Sequence, residues 1–364
     1  KTYTRPSLIH VVTTKGKGYS YAESSPKDYH GVSPFDIDKG AEISGKTTYS
    51  DIAGNTLCAL AEDDDKICAV TAAMTAGTGL TQFAGRFKNR FFDVGIAEQH
   101  AVTFAAGLAS RGLKPFFVVY SSFLQRGFDQ IIHDIAIGGF SVRLLIDRAG
   151  IVGEDGETHQ GLFDVSFLAS VPDMTVYSPC YYSELENDIK RAAKEDRFCA
   201  VRYPRGCEKQ EPDLDFSGDF TVINGGKKAI VTYGRLFSDA LEAKAVCKDI
   251  SIVKLNKIYP LSRELTDRLK EFNEIHFFEE GIRSGGIAEL CAARLLEEGY
   301  GGPDGALHFS PGRGGHGTAH SHWGGVIARN RASAGLGLVV CHAAMISSTS
   351  PSPMRGTNTR LSAL

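Results

Sequence analysis

Short apolar segments alternate with amphipathic segments along most of the chain. After Tyr49, apolar residues recur at helical spacing, with Ser50 as the expected N-cap, and the apolar run Ile67–Thr71 follows. The alternation continues with predicted strands at 90–93, 115–120, 142–147, 175–178 and 199–203, and predicted helices at 97–111, 123–137 and 183–195. Short apolar strands separated by helices predict an α/β domain with a parallel sheet covered on both faces.

A second block of alternation follows residues 209–226, a polar stretch that is predicted to be a linker. Predicted strands lie at 229–232, 250–255 and 274–278, and predicted helices at 238–248, 262–272 and 285–298. The pattern therefore predicts a second, smaller α/β domain.

The two ends of the chain differ from these blocks. Residues 8–14 are typical of one buried strand, and the polar stretch 15–45 is expected to be a functional loop or an interdomain linker. The start at Lys1 suggests an internal cut. The last 66 residues contain no Lys and no Glu, and Asp304 is their only acid. We therefore expect residues 301–364 to be an atypical tail, disordered or out of frame.

Bulk composition excludes several classes of partner. The 364 residues carry a net charge of −3, so neither nucleic acid nor a membrane surface is an expected partner. No apolar run approaches the roughly 18 residues of a membrane span. Eight cysteines are present without a Cys-x-x-Cys pair, which favours buried free thiols in a reducing compartment.

Two stretches after strand ends could carry chemistry. In Phe92-Asp-Val-Gly-Ile-Ala-Glu-Gln-His100, a strand ends, glycine allows a turn, and a helix begins with Glu98 in its first turn. Glu98 could equally just complement the helix dipole. Tyr120-Ser-Ser-Phe-Leu-Gln-Arg126 follows a strand end, where ligand sites in open α/β sheets form. Phe123 could instead belong to the core, and Arg126 to a solvated helix face.

A third stretch is Asp147-Arg-Ala-Gly-Ile-Val-Gly-Glu-Asp-Gly-Glu-Thr-His-Gln-Gly161, again after a strand. Loops this polar are usually only solvated. However, Arg148, Asp155 and His159 in one short loop, with Arg205 after another strand end, predict a site for an anion and for proton transfer.

These strings, together with Val201-Arg-Tyr-Pro-Arg-Gly206, resemble the transketolase-like thiamine-diphosphate enzymes and, among them, the 1-deoxy-D-xylulose-5-phosphate synthase family. The resemblance covers about residues 1–300. It implies the end of a first, diphosphate-binding domain and a linker loop at 1–45, a pyrimidine-binding domain at 46–208, a linker at 209–226 and a transketolase C-terminal-like domain at 227–300.

The resemblance implies an activity: carboligation of pyruvate, with loss of CO₂, and D-glyceraldehyde 3-phosphate to 1-deoxy-D-xylulose 5-phosphate, the first step of the non-mevalonate isoprenoid pathway. It implies thiamine diphosphate and Mg²⁺ as cofactors, a homodimer, and a cytoplasmic location, or a plastid in a plant or alga. The Gly-Asp-Gly motif and downstream Asn that bind metal and diphosphate are absent, so no metal ligand is expected in this chain.

The resemblance also implies residue roles. Glu98 would share a proton with the cofactor's pyrimidine ring, Phe123 would stack on that ring, and Ile96 could support the cofactor or belong to the core. Substrate-binding residues would be Tyr120, Arg126, Arg148 and Arg205, and proton-handling residues His159, Asp155 and His30. Two alternatives stay open: a half-subunit of another transketolase-like enzyme, and a catalytically incompetent fragment.

Overall fold

The structure of the chain, a computed structural model, describes residues 5–26, 29, 32, 35–40, 45–300 and 306–311. The chain divides into two compact units, Lys1–Lys46 and Thr47–Leu364. The smaller unit contains the short helix α1 (Ser20–Ser24) and a group of aromatic rings in which Tyr19 contacts Tyr21, Tyr29 and Phe35.

The predicted buried strand at residues 8–14 is wrong. This segment has no regular structure, and Leu8 and Val12 are 97% and 84% exposed. No described strand lies beside it. A lone apolar strand cannot satisfy its backbone groups or bury its side chains without a sheet partner, which explains the failure.

The first part of the larger unit forms a seven-stranded sheet with the order β10-β5-β6-β4-β3-β1-β2. Every neighbouring pair is parallel except β10 and β5, which pair antiparallel at one edge. The strands are β1 Ile67–Thr71, β2 Phe91–Asp93, β3 Lys114–Tyr120, β4 Arg143–Asp147, β5 Thr175–Tyr177, β6 Cys199–Arg202 and β10 Lys257–Tyr259. The accompanying α-helices are α2 Tyr49–Asp63, α3 Thr81–Arg86, α4 Glu98–Ser110, α5 Ser121–Leu124, α6 Phe128–Gln130, α7 Asp164–Leu168 and α8 Tyr182–Ala192.

A five-stranded sheet follows, with the order β12-β11-β8-β9-β7. It is parallel except for β7, which pairs antiparallel with β9. Its strands are β7 Phe220–Ile223, β8 Lys228–Tyr233, β9 Ile250–Leu255, β11 Glu274–Glu279 and β12 Ala306–Pro311. Its helices are α9 Leu236–Val246, α10 Arg263–Leu269 and α11 Ile287–Glu297. The predicted α/β class with two parallel sheets is confirmed.

Alternate residues of the central strands face opposite sides of the first sheet. Phe116 and Leu145 belong to one apolar cluster, whereas Phe117 and Leu144 belong to another. The second cluster continues into the five-stranded sheet through residues such as Val253. The two sheets therefore share one apolar core within the larger unit.

Four predicted elements need correction. Ser50 is not the N-cap of α2, because Thr48 caps it and forms a capping box with Asp51. The predicted helix at 123–137 is a succession of short α, 3₁₀ and π turns. The predicted linker at 209–226 contains β7, and β10, within the predicted second domain, joins the first sheet.

A fifth correction concerns the domain limit that was predicted at residue 300. Strand β12 lies beyond it and pairs along its length with β11. In Ala306–Pro311 only Leu307 and Phe309 are large apolar residues, and they alternate with small or polar ones. This pattern is too short to be identified as a strand from the sequence. The expectation for the remaining tail falls on residues 312–364, outside the described residues.

Helix α8 carries a buried carboxyl group where the two sheets meet. Burial, reinforced by the neighbouring Glu184 carboxylate, raises the pKa of Asp188 to about 7, although Lys254 and Arg191 favour its ionised form. A carboxyl whose folded pKa lies above its unfolded value stabilises the fold at low pH. That contribution declines as pH rises from the unfolded pKa, near 4, through the folded pKa, near 7.

We therefore expect Asp188→Asn to flatten the decline in stability between pH 4 and pH 8. At pH 8 the variant should be more stable than the parent, by about 4 kcal/mol at most. Urea unfolding at several pH values measures this. Glu186→Gln, an exposed change on the same helix, is the control. Parallel pH profiles for Asp188→Asn and the parent would contradict the prediction.

Candidate active site

The predicted site residues lie just past the carboxyl ends of neighbouring parallel strands. Glu98 follows β2, Phe123 and Arg126 follow β3, Arg148 follows β4, and Arg205 follows β6. Because these strands are parallel, their carboxyl ends share one edge of the sheet, and that edge is where open α/β sheets bind ligands.

The turn before Glu98 is built by the Asp93 carboxylate. Asp93 Oδ1 accepts hydrogen bonds from the amides of Ala73 at 2.8 Å and Gly95 at 3.0 Å, and Oδ2 accepts one from the Thr75 hydroxyl at 2.8 Å. Gly95 has a φ of +73°, which a side chain would disfavour. The Asp-Val-Gly sequence thus fixes where α4 begins and places Glu98 at its first residue.

Glu98 is a buried carboxylate, with 2% of its surface exposed. Arg126 Nη1 lies 3.0 Å from Glu98 Oε2. The orientation is that of an ion pair and not of a hydrogen bond, so Oε2 accepts no hydrogen bond from the described residues. A buried oxygen in this state is uncommon in native proteins and marks a group available to a ligand.

Three aromatic rings lie together at the next strand end. Tyr120 and Phe123 stack with ring centroids 5.7 Å apart, and the His159 ring meets Phe123 edge-on at 5.2 Å. The Arg148 guanidinium lies 3.8 Å from the Tyr120 ring centroid. Burial raises the pKa of Tyr120 to about 12, so its hydroxyl remains a hydrogen-bond donor at neutral pH.

Asp155 joins two arginines. Its Oδ2 lies 3.2 Å from Arg148 Nε and 3.3 Å from Arg205 Nε. Arg148 Nη1 also donates to the carbonyl of Gly77 at 2.8 Å and to Asp147 Oδ1 at 3.1 Å. Two guanidinium groups that lie beside the same carboxylate suit an anionic ligand.

Asp147, the last residue of β4, fixes the position of Arg148 in this cluster. It is completely buried, its Oδ2 accepts a 2.6 Å hydrogen bond from Ser50, and burial raises its pKa to about 6. Ser50 therefore supports the site instead of capping α2. The motif containing Asp147 was visible in the sequence, but only the fold brings Ser50 and Gly77 to it.

Residues 148–161 form a closed loop, which we call the anion loop. Gly150 and Gly161 exchange two backbone hydrogen bonds of 2.8 Å and so close its base. The Gln160 carboxamide accepts from the Val152 amide at 3.0 Å and donates to the Gly156 carbonyl at 2.8 Å, which holds the loop across its middle. The loop is therefore organised before any ligand binds.

The structure brings together most of the predicted residues. Glu98 pairs with Arg126, and Tyr120, Phe123, Arg148, Asp155, His159 and Arg205 form one contiguous group. Ile96 is 76% exposed, so the alternative that it belongs to the core is wrong. His30 lies outside the described residues. Among the residues described, no group of three or more His, Cys, Asp or Glu is arranged to hold a metal ion.

No helix in the described part of the chain is long and apolar enough to cross a membrane.

Comparison with known proteins defines the class. Residues 45–208 match the family model described as transketolase, pyrimidine binding domain, and this part of the chain is such a domain. A split-gene transketolase, solved as an inactive β4 tetramer, superposes with a TM-score of 0.63 and 27% identity, over 73% of this chain and 89% of the other. Transketolase from Campylobacter jejuni gives 0.58 at 18% identity, over 68% and 42% respectively, and so supports the fold alone.

Sequence relatives narrow this class. The chain is 46% identical over 312 residues to 1-deoxy-D-xylulose-5-phosphate synthase of Clostridium perfringens, over 82% of this chain and 50% of the relative. The corresponding protein of Caldanaerobacter subterraneus is 44% identical over 80% and 49%. The chain is thus a homologue of the 1-deoxy-D-xylulose-5-phosphate synthases, and the predicted resemblance is confirmed. It spans about half the length of these relatives.

The closed base of the anion loop makes Gly161 intolerant of a side chain. A Cβ there would lie 2.3 Å from the Arg148 carbonyl oxygen and 2.7 Å from Ser121 Oγ. We expect Gly161→Ala to lower the free energy of unfolding by roughly 1–3 kcal/mol, because the backbone must shift.

Urea unfolding measures this, with Gly107→Ala as the control. A Cβ at Gly107, inside α4, meets no atom within 4 Å, and alanine there should stabilise the helix by up to about 1 kcal/mol. Equal stability of Gly161→Ala and the parent would contradict the close packing of the loop base.

Proposed function

We propose that this chain supplies the pyrimidine-side half of an active site that joins pyruvate, with loss of CO₂, to D-glyceraldehyde 3-phosphate. The observation that carries the proposal is the pairing of Asp155 in the anion loop with Arg148 of the same loop and with Arg205 after β6, beside the aromatic group. This arrangement suits a small phosphorylated substrate. The names of the sequence relatives give the product as 1-deoxy-D-xylulose 5-phosphate.

Glu98 fits the role of a proton-sharing group for thiamine diphosphate. Its carboxylate is buried at the start of α4, and Oε2 has no hydrogen-bond donor among the described residues. Phe123 offers a partly buried ring suited to stacking on a heterocycle. When bound, thiamine diphosphate supplies the carbon nucleophile that attacks pyruvate. Glu98 would hold a proton at the pyrimidine nitrogen and release it in turn.

The acceptor substrate carries a phosphate dianion, which Arg148 and Arg205 would bind. Their planar guanidinium groups can make paired, charge-assisted hydrogen bonds to phosphate oxygens. Tyr120, whose raised pKa keeps its hydroxyl protonated, would donate a further hydrogen bond. Asp155 pairs with both arginines, so it holds them in position for the phosphate.

Proton transfer to the acceptor accompanies formation of the new carbon–carbon bond. The aldehyde oxygen must gain a proton when its carbon is attacked, and CO₂ has already left the pyruvate carbon. His159 belongs to the anion loop and meets the Phe123 ring edge-on; its Nδ1 lies 3.0 Å from the Thr158 hydroxyl, and it is suited to deliver this proton. Arg126 would face the pyruvate-derived group. As the resemblance implies, Asp155 and His30 would also handle protons at this step, and Ile96 would support the bound cofactor.

The ligands for Mg²⁺ and for the cofactor diphosphate would come from the part of the relatives that lies outside the matched half. A homodimer would be the working assembly, in the cytoplasm, or in the plastid of a plant or alga.

A second candidate is a half-subunit that a separate chain completes. The split-gene transketolase favours it, because its chain matches this one over 89% of its own length and was solved as an inactive tetramer. In that case the chain would provide Glu98 and the anion loop, and the partner would provide the diphosphate site. The third candidate, a catalytically incompetent fragment, predicts no activity under any conditions.

Product formation from pyruvate and glyceraldehyde 3-phosphate tests these candidates. The chain is assayed with Mg²⁺ and thiamine diphosphate, alone and together with the diphosphate-binding domain of a relative. Activity that appears only with the supplied domain supports the proposal. Activity with hydroxypyruvate as donor in place of pyruvate would favour a transketolase half-subunit, and failure of all combinations would favour the remnant.

In the complemented enzyme, Glu98→Gln should lower the rate of carboligation by ~10²–10⁴-fold, because an amide cannot exchange a proton with the ring. Steady-state kinetics measure this, and circular dichroism checks that the fold is kept. Glu186→Gln, an exposed change on α8, is the matched control and should retain parental activity. A rate within a few-fold of the parent for Glu98→Gln would remove Glu98 from the chemistry.

Arg148→Ala and Arg205→Ala should each raise KM for glyceraldehyde 3-phosphate by roughly tenfold or more, because a charged hydrogen bond to the phosphate is lost. KM for pyruvate should change little, since pyruvate carries no phosphate. Arg197→Ala removes an exposed arginine that pairs with Asp173 and serves as the control. Equal effects on both substrates would exclude these arginines from the phosphate site.

A further inference from the structure

We propose that Arg235 and Glu280, which belong to the second sheet, are positioning residues for the anion loop and thereby set the affinity of the site for phosphate. The second part of this statement rests on the proposed function. The first part concerns only the loop and can be tested without any substrate.

Both residues sit at the carboxyl edge of the five-stranded sheet. Arg235 comes two residues after β8 ends, and Glu280 directly follows β11. Strands β8 and β11 are parallel neighbours, with Thr232 opposite Phe278, so their ends project the two side chains toward the same place. This edge faces the first sheet at the point where the anion loop leaves β4.

Arg235 bridges the two sheets. Its Nε lies 2.9 and 3.0 Å from the two carboxylate oxygens of Glu280, and its Nη2 donates a 2.6 Å hydrogen bond to the carbonyl of Ile151 in the anion loop. Because Glu280 is mostly buried, the pair holds the guanidinium in one orientation. The carbonyl of Ile151 is therefore fixed by a charged donor that cannot easily rotate away.

Glu280 also packs directly against the loop. A Cβ at Gly150, whose φ is +81°, would lie 2.4 Å from Glu280 Oε2. The contact continues beyond the loop, where the Ile282 amide donates to the Leu162 carbonyl at 3.1 Å. The second sheet thus contacts the loop base at both ends, next to the Gly150–Gly161 pair.

The loop needs such external support because its own conformation is unfavourable. Arg148, Gly150, Gly153 and Gly156 all have φ between +59° and +82°, and Arg148 is not a glycine. Backbone in this region is entropically costly or strained to hold. Arg148 is only three residues from Ile151, so a shift of the loop at Ile151 would move the guanidinium that meets the phosphate.

Hydrogen exchange of the full chain, followed by mass spectrometry, tests the positioning role. In Arg235→Ala, amides of residues 148–162 should exchange roughly tenfold or more faster than in the parent, as expected for loss of a charged hydrogen bond. Arg268→Ala is the matched control, because Arg268 belongs to the same half and pairs with Glu271 and Asn224. Its loop amides should exchange at the parental rate.

Arg235→Lys is a second variant that keeps the test possible if Arg235→Ala does not fold. Lysine keeps a charge opposite Glu280 but lacks the fork needed to reach Ile151 as well, so it should show an intermediate increase in exchange. Urea unfolding of each variant separates local loosening from a general loss of stability. Unchanged exchange at 148–162 in both Arg235 variants, or an increase spread evenly over the whole chain, would overturn the proposal.

Calorimetric titration with inorganic phosphate tests the second part. The affinity of Arg235→Ala should fall roughly tenfold, whereas that of Arg268→Ala should equal the parent's. Parental affinity in Arg235→Ala despite faster loop exchange would overturn the link between loop position and phosphate binding. If the parent itself binds no phosphate, the proposed function loses its phosphate site, while the exchange result still decides the positioning role.

Discussion

Charged groups that are buried where the two sheets meet must find partners, and this requirement organises the larger unit. Lys254, fully buried on β9, lies 2.5 Å from Glu184 on α8 and donates to Asn256 Oδ1 at 2.6 Å. Arg202, at the end of β6, makes a bidentate pair with Asp164 at 2.9 and 3.2 Å. An unpaired charge at either position would cost several kcal/mol. The Lys254–Glu184 pair also fixes the two halves relative to each other, because its partners belong to different halves.

The same pairing extends to the site. Arg202 lies over the ring of Tyr233 at the end of β8, and the Tyr233 hydroxyl donates to Glu279 at 2.8 Å. Glu279 in turn accepts hydrogen bonds from the first amides of α11. A continuous polar network therefore runs from the carboxyl edge of the first sheet to the second. Buried networks of this kind specify one arrangement because each member loses its partner if the sheets slide.

The sequence pattern was sufficient where a strand buries both faces. The runs Ile67–Thr71, Arg143–Asp147 and Ile250–Leu255 are wholly buried, and their apolar continuity predicted them well. Strands β7 and β10 were missed because both are short edge strands, and β7 is only half-buried. Edge strands have one partner and one exposed side, so their residues carry little of the apolar signal. The segment after β3 was predicted as one α-helix because its apolar residues recur at helical spacing. That spacing does not distinguish α turns from the 3₁₀ and π turns that the segment also contains.

Contacts between residues of the candidate site could be predicted directly only where the residues are close in the sequence. Arg148, Asp155 and His159 share one loop, so their proximity was visible without a structure. Ser50 is 97 residues from Asp147, and Arg235 is 84 residues from Ile151, so their contacts follow from the topology of the sheets and not from any local pattern.

Asp155 explains how Arg148 and Arg205 can lie close together, as the proposed phosphate site requires, without repelling each other. Arg148 and Arg205 each lie within 3.3 Å of the same carboxylate oxygen. Without Asp155, two like charges this close would disfavour the folded loop; Asp155, together with Asp147 at 3.1 Å from Arg148 Nη1, balances the two guanidinium charges. In the proposed site, a phosphate ester dianion offers three terminal oxygens, so it can bond to both guanidinium groups that here share one carboxylate oxygen. The Asp155 carboxylate therefore holds both arginines in the arrangement that the proposed phosphate site requires.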